Sequence, residues 1–401
     1  MNSLILPDEA KTRIRTNLGE IEAITCPLIK CAGRILRQGV LADRPFPPFD
    51  RSMMDGYALR AAEIGLDGHF QIKIQVPAGS SKTTLGAEPG TCAEIMTGAA
   101  VPKDTDCIVP YECTERLDSR RMRLLDPGAH QAGDCIHPCG SDLDQGEILL
   151  DPGKLIGGRE IAVAASCGYD ELEVTKNPSI AIVSTGDELV AVSTQPAPHQ
   201  IRRSNDMAIE TTLARMHLPA QTRAHLPDDP DDSVEQLKAL IEDNRIVLIS
   251  GGISMGKKDF IPAALNQLGL TCHFHGVAQK PGKPMGFWSH ATCAVFALPG
   301  NPTSTLTCLH YYVIPALFQA MGQTQAPPPQ SIRLDKTIKA RDDLTIFLPV
   351  KLLANNQASP QATQNSGDLV RILSSDGFIE LPPSPEKSYP AGKSFDFHPW
   401  Y

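Results

Sequence analysis

Three short loops of this 401-residue sequence carry the residue types that bind oxyanions through main-chain N–H groups. Each loop follows an apolar run, and the loops are STGDEL (184–189), SGGISMGKKD (250–259) and PGNPTS (299–304). Gly251, Gly252 and Gly300 can adopt a positive φ angle and let a ligand approach the backbone closely. Asn301 and Pro302 are typical of the N-cap and first residue of a helix, whose free N–H groups attract anions. These features predict an anion-binding site.

Two lysines strengthen this prediction. Lys280 and Lys283 lie in the segment AQKPGKPMG, which is stiffened by proline and precedes the last of the apolar runs. A solvated basic loop is the alternative interpretation of the segment alone. Because three anion-type loops accompany it, we predict that both lysines contact phosphate or another oxyanion.

Acidic residues crowd the same part of the sequence. Glu188, Asp228, Asp229 and Asp259 lie in or near the loops. Asp187 or Asp259 would also serve as a helix cap, since acidic side chains are favoured in a first turn. Carboxylates near a bound phosphate repel it unless a cation bridges them, and magnesium typically combines one or two carboxylates with phosphate oxygens. We therefore predict magnesium chelation by at least one of Glu188, Asp228 and Asp259.

The elements around these loops alternate between strand and helix. The apolar runs SIAIVST, IVLIS and CAVFAL predict buried strands. Helices are predicted after residue 204, over 230–244, from about 259 and from about 303, where apolar residues recur at helical spacing. This order predicts a parallel α/β sheet covered by helices on both faces. Ligands of such sheets bind outside the carboxyl ends of the strands, which is where the three loops lie.

The flanking regions have a different texture. Short β-like pieces separated by Gly, Pro and Asp occur before the α/β region and again in SIRLDKTI, TIFLPVKLL, LVRILSS and GFIELPP at the C-terminus. Segments 8–18 and 155–168 have a helical pattern. We predict four domains: a discontinuous helical domain (1–45 and 141–175), an inserted mostly-β domain (46–140), a central α/β domain (176–326) and a C-terminal β-barrel domain (327–401).

Charge and composition exclude several classes of function. The chain has 46 acidic and 37 basic residues, and its net charge of −9 argues against a nucleic-acid backbone as the main partner. No apolar run approaches the roughly 18 residues of a membrane span, and the start lacks the basic and apolar segments of a signal peptide. The eleven scattered cysteines form no CxxC pair, which favours reduced thiols over zinc ligands or disulfides. A cytoplasmic protein is expected.

One further carboxylate stands apart from the loops. Asp55 lies in FDRSMMDGYALR (49–60), directly before Gly56 and after the proline-rich RPFPPFD. Asp–Gly is a common turn pair, so Asp55 has a structural explanation. The residues alone leave open whether Asp55 builds the turn or is displayed for chemistry.

The sequence resembles the molybdopterin molybdenumtransferase family, which comprises MoeA in bacteria and the E domain of gephyrin in animals. Seven stretches carry the resemblance in the family's order: FDRSMMDGYALR, IMTGAAVP, IVSTGDEL, SNDMAI, SGGISMGKKDF, AQKPGKPMGF and LPGNPTSTL. The resemblance implies a molybdopterin-binding-like α/β domain, an inserted β domain, a discontinuous helical domain and a C-terminal β-barrel, assembled as a homodimer.

The resemblance also implies an activity. The family inserts molybdenum from molybdate into adenylylated molybdopterin, with magnesium, and releases AMP and molybdenum cofactor. Molybdoenzyme apoproteins or their chaperones are implied as further partners.

The resemblance implies residue roles as well. The resemblance implies catalytic roles for Asp55, Asp142, Glu188 and Asp259, and metal binding by Glu188, Asp228 and Asp259. It also implies that Asp55 and Thr97 point into an active site formed across two chains. The implied substrate-binding residues are Thr97, Ser184, Thr185, Gly186, Asp187, Ser250, Gly251, Gly252, Ser254, Lys280, Lys283, Pro299, Gly300, Asn301, Ser304 and Ser366.

One stretch departs from the family pattern. Members usually carry two arginines in the C-terminal domain, in a pattern like GRTEFVR. Here the matching stretch is DDLTIFLPVKL, with Pro349 at the second arginine and Arg341 only nearby. NSGD (365–368) keeps the Ser–Gly placed close to the pterin. If the arginine helps to bind molybdate, this chain binds it weakly or uses Lys351.

Two alternatives remain at this point. An adenylyltransferase that makes the adenylylated pterin has a fold similar to residues 176–326, although SMMDGYA and the flanking domains disfavour it. A scaffolding or binding paralogue with weak or lost molybdate insertion is the alternative from another class.

Overall fold

The computed structural model describes residues 4–65, 67–253, 260–326, 328–361 and 369–400. The chain divides into two compact units. The first comprises residues 1–38, 152–161 and 171–401, and the second comprises residues 39–151 and 162–170.

Helices are few and mostly short. They are α1 (Pro7–Leu18), α2 (Gly158–Ser166), α3 (Asn205–Arg215), α4 (Pro230–Asp243), α5 (Ile261–Gln267), α6 (Pro302–Cys308), α7 (Ile314–Ala320) and α8 (Leu369–Ile372). A π-helical turn, Leu309–Val313, joins α6 to α7. The helices predicted in segments 8–18 and 155–168 and in the α/β region are confirmed.

Strands make up most of the remaining regular structure. Those before residue 151 are β1 (Ala23–Pro27), β2 (Val40–Leu41), β3 (Arg51–Ser52), β4 (Gly56–Leu59), β5 (His69–Val76), β6 (Thr91–Ile95), β7 (Cys107–Pro110), β8 (Thr114–Arg116), β9 (Arg121–Leu124), β10 (Ile136–His137) and β11 (Ile148–Leu150). Those of the α/β region and the segment before it are β12 (Glu171–Thr175), β13 (Ile180–Thr185), β14 (Leu189–Val190), β15 (Ile201–Arg202), β16 (Thr222–Leu226), β17 (Ile246–Ser250), β18 (Thr271–His275), β19 (Gln279–Lys280), β20 (Gly286–Ser289) and β21 (Ala294–Leu298). The last are β22 (Gln330–Leu334), β23 (Ile338–Lys339), β24 (Thr345–Leu352), β25 (Gln357–Pro360), β26 (Gly377–Leu381), β27 (Ser388–Tyr389) and β28 (Ser394–Pro399).

The central sheet of the first unit has six strands in the order β16-β13-β17-β21-β20-β18. The first four are parallel, whereas β20 and β18 run antiparallel to their neighbours. The prediction of a wholly parallel sheet is therefore corrected to a mixed one. Only four residues separate β20 from β21, and a connection that short can join only antiparallel neighbours.

Helices cover both faces of this sheet. Alternate residues of β13 point in opposite directions: Ile180 and Ile182 pack in one apolar cluster with α3, α6 and α7, while Ala181 and Val183 pack in a second cluster with α4 and α5. Both faces of the sheet are therefore buried, which explains why the strand sequences are unbroken apolar runs.

The second unit is built on a six-stranded mixed sheet in the order β7-β4-β6-β5-β9-β8. Two small apolar clusters lie on its strands, one around Tyr57 and Met122 and the other around Ile95 and Ile108. The predicted mostly-β character of this part of the chain is confirmed by these strands.

The C-terminal region forms a closed barrel of five strands, in which β24 pairs with both β25 and β26 and the ring runs β24-β25-β22-β28-β26. The predicted barrel is confirmed, but the expectation of a strand in LVRILSS is wrong. Residues Leu369–Ile372 form one helical turn, and the Ser375 hydroxyl and N–H both donate to the Ile372 carbonyl oxygen just after it, at 2.6 and 2.9 Å.

Within the part of the chain that the structure describes, no helix has both the length and the apolar composition needed to cross a bilayer.

Candidate active site

The register of the central sheet brings the predicted loops to one level. Thr185 of β13 lies beside Leu226 of β16, and Ser184 lies beside Ser250 of β17. Ser250 in turn lies beside Leu298 of β21. Because these four strands are parallel, the loops that follow them leave the sheet at the same edge.

A cavity of about 660 Å³ lies at this edge. Most of the predicted binding residues line it. They are Ser184, Thr185, Gly186, Glu188, Asp228, Ser250, Gly251, Gly252, Lys280, Lys283, Pro299, Gly300, Asn301 and Ser304. The structure therefore brings together in one cavity groups from five separate segments of the sequence.

Hydroxyl groups at the strand ends are buried in the cavity wall. Ser184 and Thr185 are each 3% exposed, and the Ser184 Oγ atom lies 3.1 Å from Nδ1 of His225. The Thr185 Oγ1 atom is buried with no hydrogen-bond partner among the described residues. A buried hydroxyl without a partner costs free energy, which a ligand oxygen would recover.

Asn205, the first residue of α3, ties two of the loops together and was missed from the sequence. Its Nδ2 atom donates to the Ser250 Oγ atom at 2.9 Å and to the Gly300 carbonyl oxygen at 2.7 Å. One amide group therefore fixes the ends of β17 and β21 relative to each other. The motif SNDMAI contains this residue, but nothing in the motif alone selects it.

Other cavity residues were also missed. Arg202, Arg203, Asp206 and Gln279 line the cavity beside the predicted groups. Arg202 ends β15 and Arg203 follows it, and β15 pairs with β14 and not with the central sheet, so the pattern of strand ends did not reveal them. A search for charged residues at every strand-to-helix junction would have found both.

The lysine loop is held firmly against the barrel and the helices. Its strand β19 pairs with β24, and the Thr345 N–H donates to the Ala278 carbonyl oxygen at 3.0 Å. Gln279 is fully buried, where it accepts a hydrogen bond from the Tyr312 hydroxyl and contacts the Cys308 sulfur at 3.6 Å. Lys280 and Lys283 are exposed side chains on this anchored loop.

The acidic residues separate into two groups. Glu188 and Asp228 line the cavity. The Asp187 carboxylate instead accepts a hydrogen bond from the Asp228 N–H at 3.1 Å, which holds the loop after β16, and Asp187 does not line the cavity. Asp187 therefore contributes to the site through the position of Asp228.

Asp55 belongs to the second unit, where a pair of donors holds its carboxylate. Its Oδ1 atom accepts hydrogen bonds from the Thr97 N–H at 2.6 Å and from the Thr97 hydroxyl at 2.7 Å. The N–H bond, followed by the hydroxyl bond, lowers the pKa of Asp55 below its ordinary value. Both side chains are exposed, so the structure presents an ionised carboxylate to solvent.

This contact gives a prediction about pH. Thr97→Val removes the hydroxyl donor and keeps the N–H donor, so we expect the pKa of Asp55 to rise toward its ordinary value. In the wild type, the stabilisation from the contact is complete above the ordinary pKa and is lost as the pH falls through the lowered folded-state pKa. Titration of the Asp55 carboxyl carbon by NMR would measure the shift. Thr97→Ser, which keeps the hydroxyl, should titrate like the wild type; a superimposable curve for Thr97→Val would contradict the assignment.

Models of three protein families match consecutive parts of the chain. The MoeA N-terminal region (domain I and II) matches residues 5–168, a probable molybdopterin binding domain matches 181–319, and the MoeA C-terminal region (domain IV) matches 331–400. A molybdopterin molybdenumtransferase of Synechocystis sp. is 37% identical over 375 residues, which cover 92% of this chain and 93% of that protein. This chain belongs to the molybdopterin molybdenumtransferase family.

Other members of the molybdopterin molybdenumtransferase family are also similar to this chain in sequence or fold. A molybdopterin molybdenumtransferase of Staphylococcus aureus is 29% identical over 398 residues, covering 97% of this chain and 94% of that protein. A crystal structure of a MoeA protein of Pyrococcus horikoshii has a TM-score of 0.79 and 28% identity, with full coverage of both chains. A second MoeA structure from that organism has a TM-score of 0.83 at 24% identity and so supports the fold.

Asp142, the other acidic residue of the second unit that is expected to have a catalytic role, has a histidine partner. Its Oδ1 atom lies 2.7 Å from Nε2 of His137. The Arg51 guanidinium lies 3.1 and 3.3 Å from the other ring nitrogen, Nδ1. Since arginine only donates, Nδ1 accepts from Arg51, and the Nε2–H group donates to Asp142.

The structure shows where the residues that depart from the family's C-terminal arginine pattern lie. Pro349 is buried in β24, paired with Phe378 of β26. The Arg341 guanidinium forms a bidentate pair with Asp343, at 2.7 and 2.8 Å. Lys351 is exposed on β24 and does not line the cavity. Three further predicted residues, Ser254, Asp259 and Ser366, lie outside the described residues.

Proposed function

We propose that this chain inserts molybdenum from molybdate into adenylylated molybdopterin and releases AMP and molybdenum cofactor. Membership of the molybdopterin molybdenumtransferase family supports this reaction. The observation that carries the proposal is the cavity where strand-end loops, two lysines and three carboxylates meet.

The proposed substrates suit the groups that line this cavity. Adenylylated molybdopterin carries a phosphoanhydride and a dithiolene, and molybdate is a tetrahedral dianion. Main-chain N–H groups of the loops after β13 and β17 would bind phosphate or pterin, while Lys280 and Lys283 would offset the negative charge. The chain would act mainly by positioning the reactants and stabilising charge in a partly closed site.

Magnesium fits the cavity's donor set. Among the described residues, no group of three His, Cys, Asp or Glu side chains is placed to hold a metal ion. Glu188 and Asp228 would therefore supply one or two carboxylates and the substrate phosphate would supply further oxygens, as magnesium sites commonly require. When bound, the ion would polarise the phosphoanhydride. Asp259, from the loop after β17, is proposed as a further ligand.

The protein is proposed to act as a homodimer, in which Asp55, Thr97 and Asp142 of one chain complete the site of its partner chain. The Asp55 carboxylate, whose pKa is lowered by its two bonds from Thr97, is suited to orient a ligand as a charged hydrogen-bond acceptor. Molybdoenzyme apoproteins or their chaperones are the proposed recipients of the product.

A reconstituted reaction tests the proposal. Purified protein with adenylylated molybdopterin, molybdate and Mg²⁺ should produce AMP and molybdenum cofactor in equal amounts, detected by chromatography and by activation of an apo-molybdoenzyme. Incubation with ATP and unmodified molybdopterin should release no pyrophosphate. Steady pyrophosphate release, without molybdenum insertion, would instead identify an adenylyltransferase.

Glu188→Gln tests the proposed metal ligand. Because it removes the ligand's charge and keeps its shape, we expect the Mg²⁺ concentration for half-maximal AMP release to rise about tenfold or more. Glu235→Gln is a matched control, since Glu235 is an exposed carboxylate on α4 outside the cavity. An unchanged Mg²⁺ dependence in Glu188→Gln would remove Glu188 from the metal site.

A further inference from the structure

Arg203 occupies a fixed position between a strand and a helix. It follows β15, and its backbone N–H donates to the Val190 carbonyl oxygen at 2.9 Å. Two residues earlier, the Ile201 N–H donates to the Glu188 carbonyl oxygen at 2.8 Å. Two residues later, Asn205 is bonded to Ser250 and Gly300. The backbone that carries Arg203 is therefore anchored on both sides to elements of the cavity.

The Arg203 guanidinium has unused hydrogen-bonding capacity. Arg203 lines the cavity, and its Nε atom is buried without a hydrogen-bond partner among the described residues. Three carboxylates, of Glu188, Asp206 and Asp228, line the same cavity, yet none of these described groups forms an ion pair with Arg203 within 4.0 Å. Burying an unpaired donor of a charged group costs free energy that an acceptor in the cavity would recover.

The neighbouring arginines behave differently. Arg202 is exposed and its guanidinium donates to the Thr194 carbonyl oxygen at 3.2 Å and to the Gln195 side chain at 3.5 Å. Arg223 pairs with Glu210 at 2.9 Å. The guanidinium groups of Arg202 and Arg223 thus have partners within the protein. The Arg203 Nε atom has none among the described residues, and Arg203 lines the cavity.

We infer that Arg203 binds a tetrahedral oxyanion in this cavity, as a substrate-binding residue that the loop motifs do not include. A planar guanidinium fork can bind two oxygens of phosphate or molybdate at once, whereas Lys280 and Lys283 act as point charges. The inference rests on the proposed function for the identity of the anion. Phosphate of the adenylylated substrate and molybdate share the required chemistry.

Calorimetric titration of the full chain distinguishes these two sources, with AMP and molybdate as separate probes. Arg203→Ala should weaken the binding of one or both anions by at least about tenfold, because a charge-assisted hydrogen bond is lost. A loss confined to AMP assigns Arg203 to phosphate, and a loss confined to molybdate assigns it to molybdate. Arg215→Ala removes the same charge from the exposed end of α3 and should bind both anions like the wild type.

Arg203→Lys keeps the charge and removes the fork, so its affinity should fall between those of the wild type and Arg203→Ala. The inference would be overturned if the wild type, Arg203→Lys and a folded Arg203→Ala bound each anion with the same affinity. It would also be overturned if the wild type bound neither anion. If the wild type binds anions through Arg203 but inserts no molybdenum, the proposed function fails and the anion assignment stands.

Discussion

Gly251→Ala should lower the rate of molybdenum insertion by about a hundredfold while leaving the protein folded. Gly251 has a φ angle of +103°, which side-chain-bearing residues rarely adopt. A Cβ atom there would lie 2.7 Å from Thr185 Oγ1 and 2.8 Å from the Thr185 carbonyl oxygen. Backbone strain of about 1–3 kcal/mol would be added to this clash. The loop must move to relieve both, and a displacement of about 1 Å at a positioning element can cost about a hundredfold in rate.

Gly269→Ala is the matched control for this variant. Gly269 also has a positive φ angle, of +80°, but a Cβ atom there would meet nothing within 4 Å, and the residue does not line the cavity. Both variants carry a backbone penalty, so both melting temperatures should fall, and that of Gly251→Ala should fall further because its Cβ atom also meets Thr185. Only Gly251→Ala should lose activity. Normal single-turnover rates in Gly251→Ala would show that the loop after β17 does not position the reactants.

The parts of the fold that sequence predicted best are those whose residues face apolar surroundings on both sides. β13, β17 and β21 are buried along their whole lengths, so each appears as an unbroken apolar run. The loops after these strands could also be predicted, because glycine, hydroxyl and proline residues have local conformational reasons for their positions.

Two other strands of the sheet lacked such a pattern. β16 and β18 have partly exposed and polar sequences, TRAHL and TCHFH, and were not predicted as strands. They lie at the two edges of the sheet, where one side of the strand has no neighbour. Strand direction depends on the length of the connection and not on the composition of the strand itself, so the antiparallel edge was not predictable from periodicity.

Site residues whose partners are distant in sequence could not be predicted either, because their contacts depend on the strand register. Asn205 bonds to groups 45 and 95 residues away in sequence. Its role exists only because the register of β17 and β21 places Ser250 beside Leu298, so that Ser250 and Gly300 both come within reach of one amide group. Asp187 was expected to bind substrate because it lies in a motif. Its carboxylate instead accepts a hydrogen bond from the backbone N–H of Asp228.

Lys283→Ala should weaken anion binding by roughly 1–3 kcal/mol, the value of a lost charge-assisted hydrogen bond. The expected observation is a raised molybdate or substrate requirement with little change in melting temperature. The Lys283 side chain is exposed and forms no ion pair among the described residues, so its removal takes little from the fold. Its backbone oxygen, which accepts from the Val277 N–H at 2.8 Å, is retained in the variant, and the loop should keep its shape.

Two comparisons separate a contact with the anion from a general effect of charge. Lys238→Ala removes a lysine of α4 that is paired with Glu242 at 3.9 Å, outside the cavity, and should leave the molybdate requirement unchanged. Raising the salt concentration should weaken anion binding by the wild type more than by Lys283→Ala, because screening acts on the charge that the variant has lost. Lys280→Ala should behave like Lys283→Ala, since both line the cavity from one anchored loop. Equal molybdate dependence in the wild type and both lysine variants would place the anion elsewhere, with the C-terminal segment around Ser366 as the next position to test.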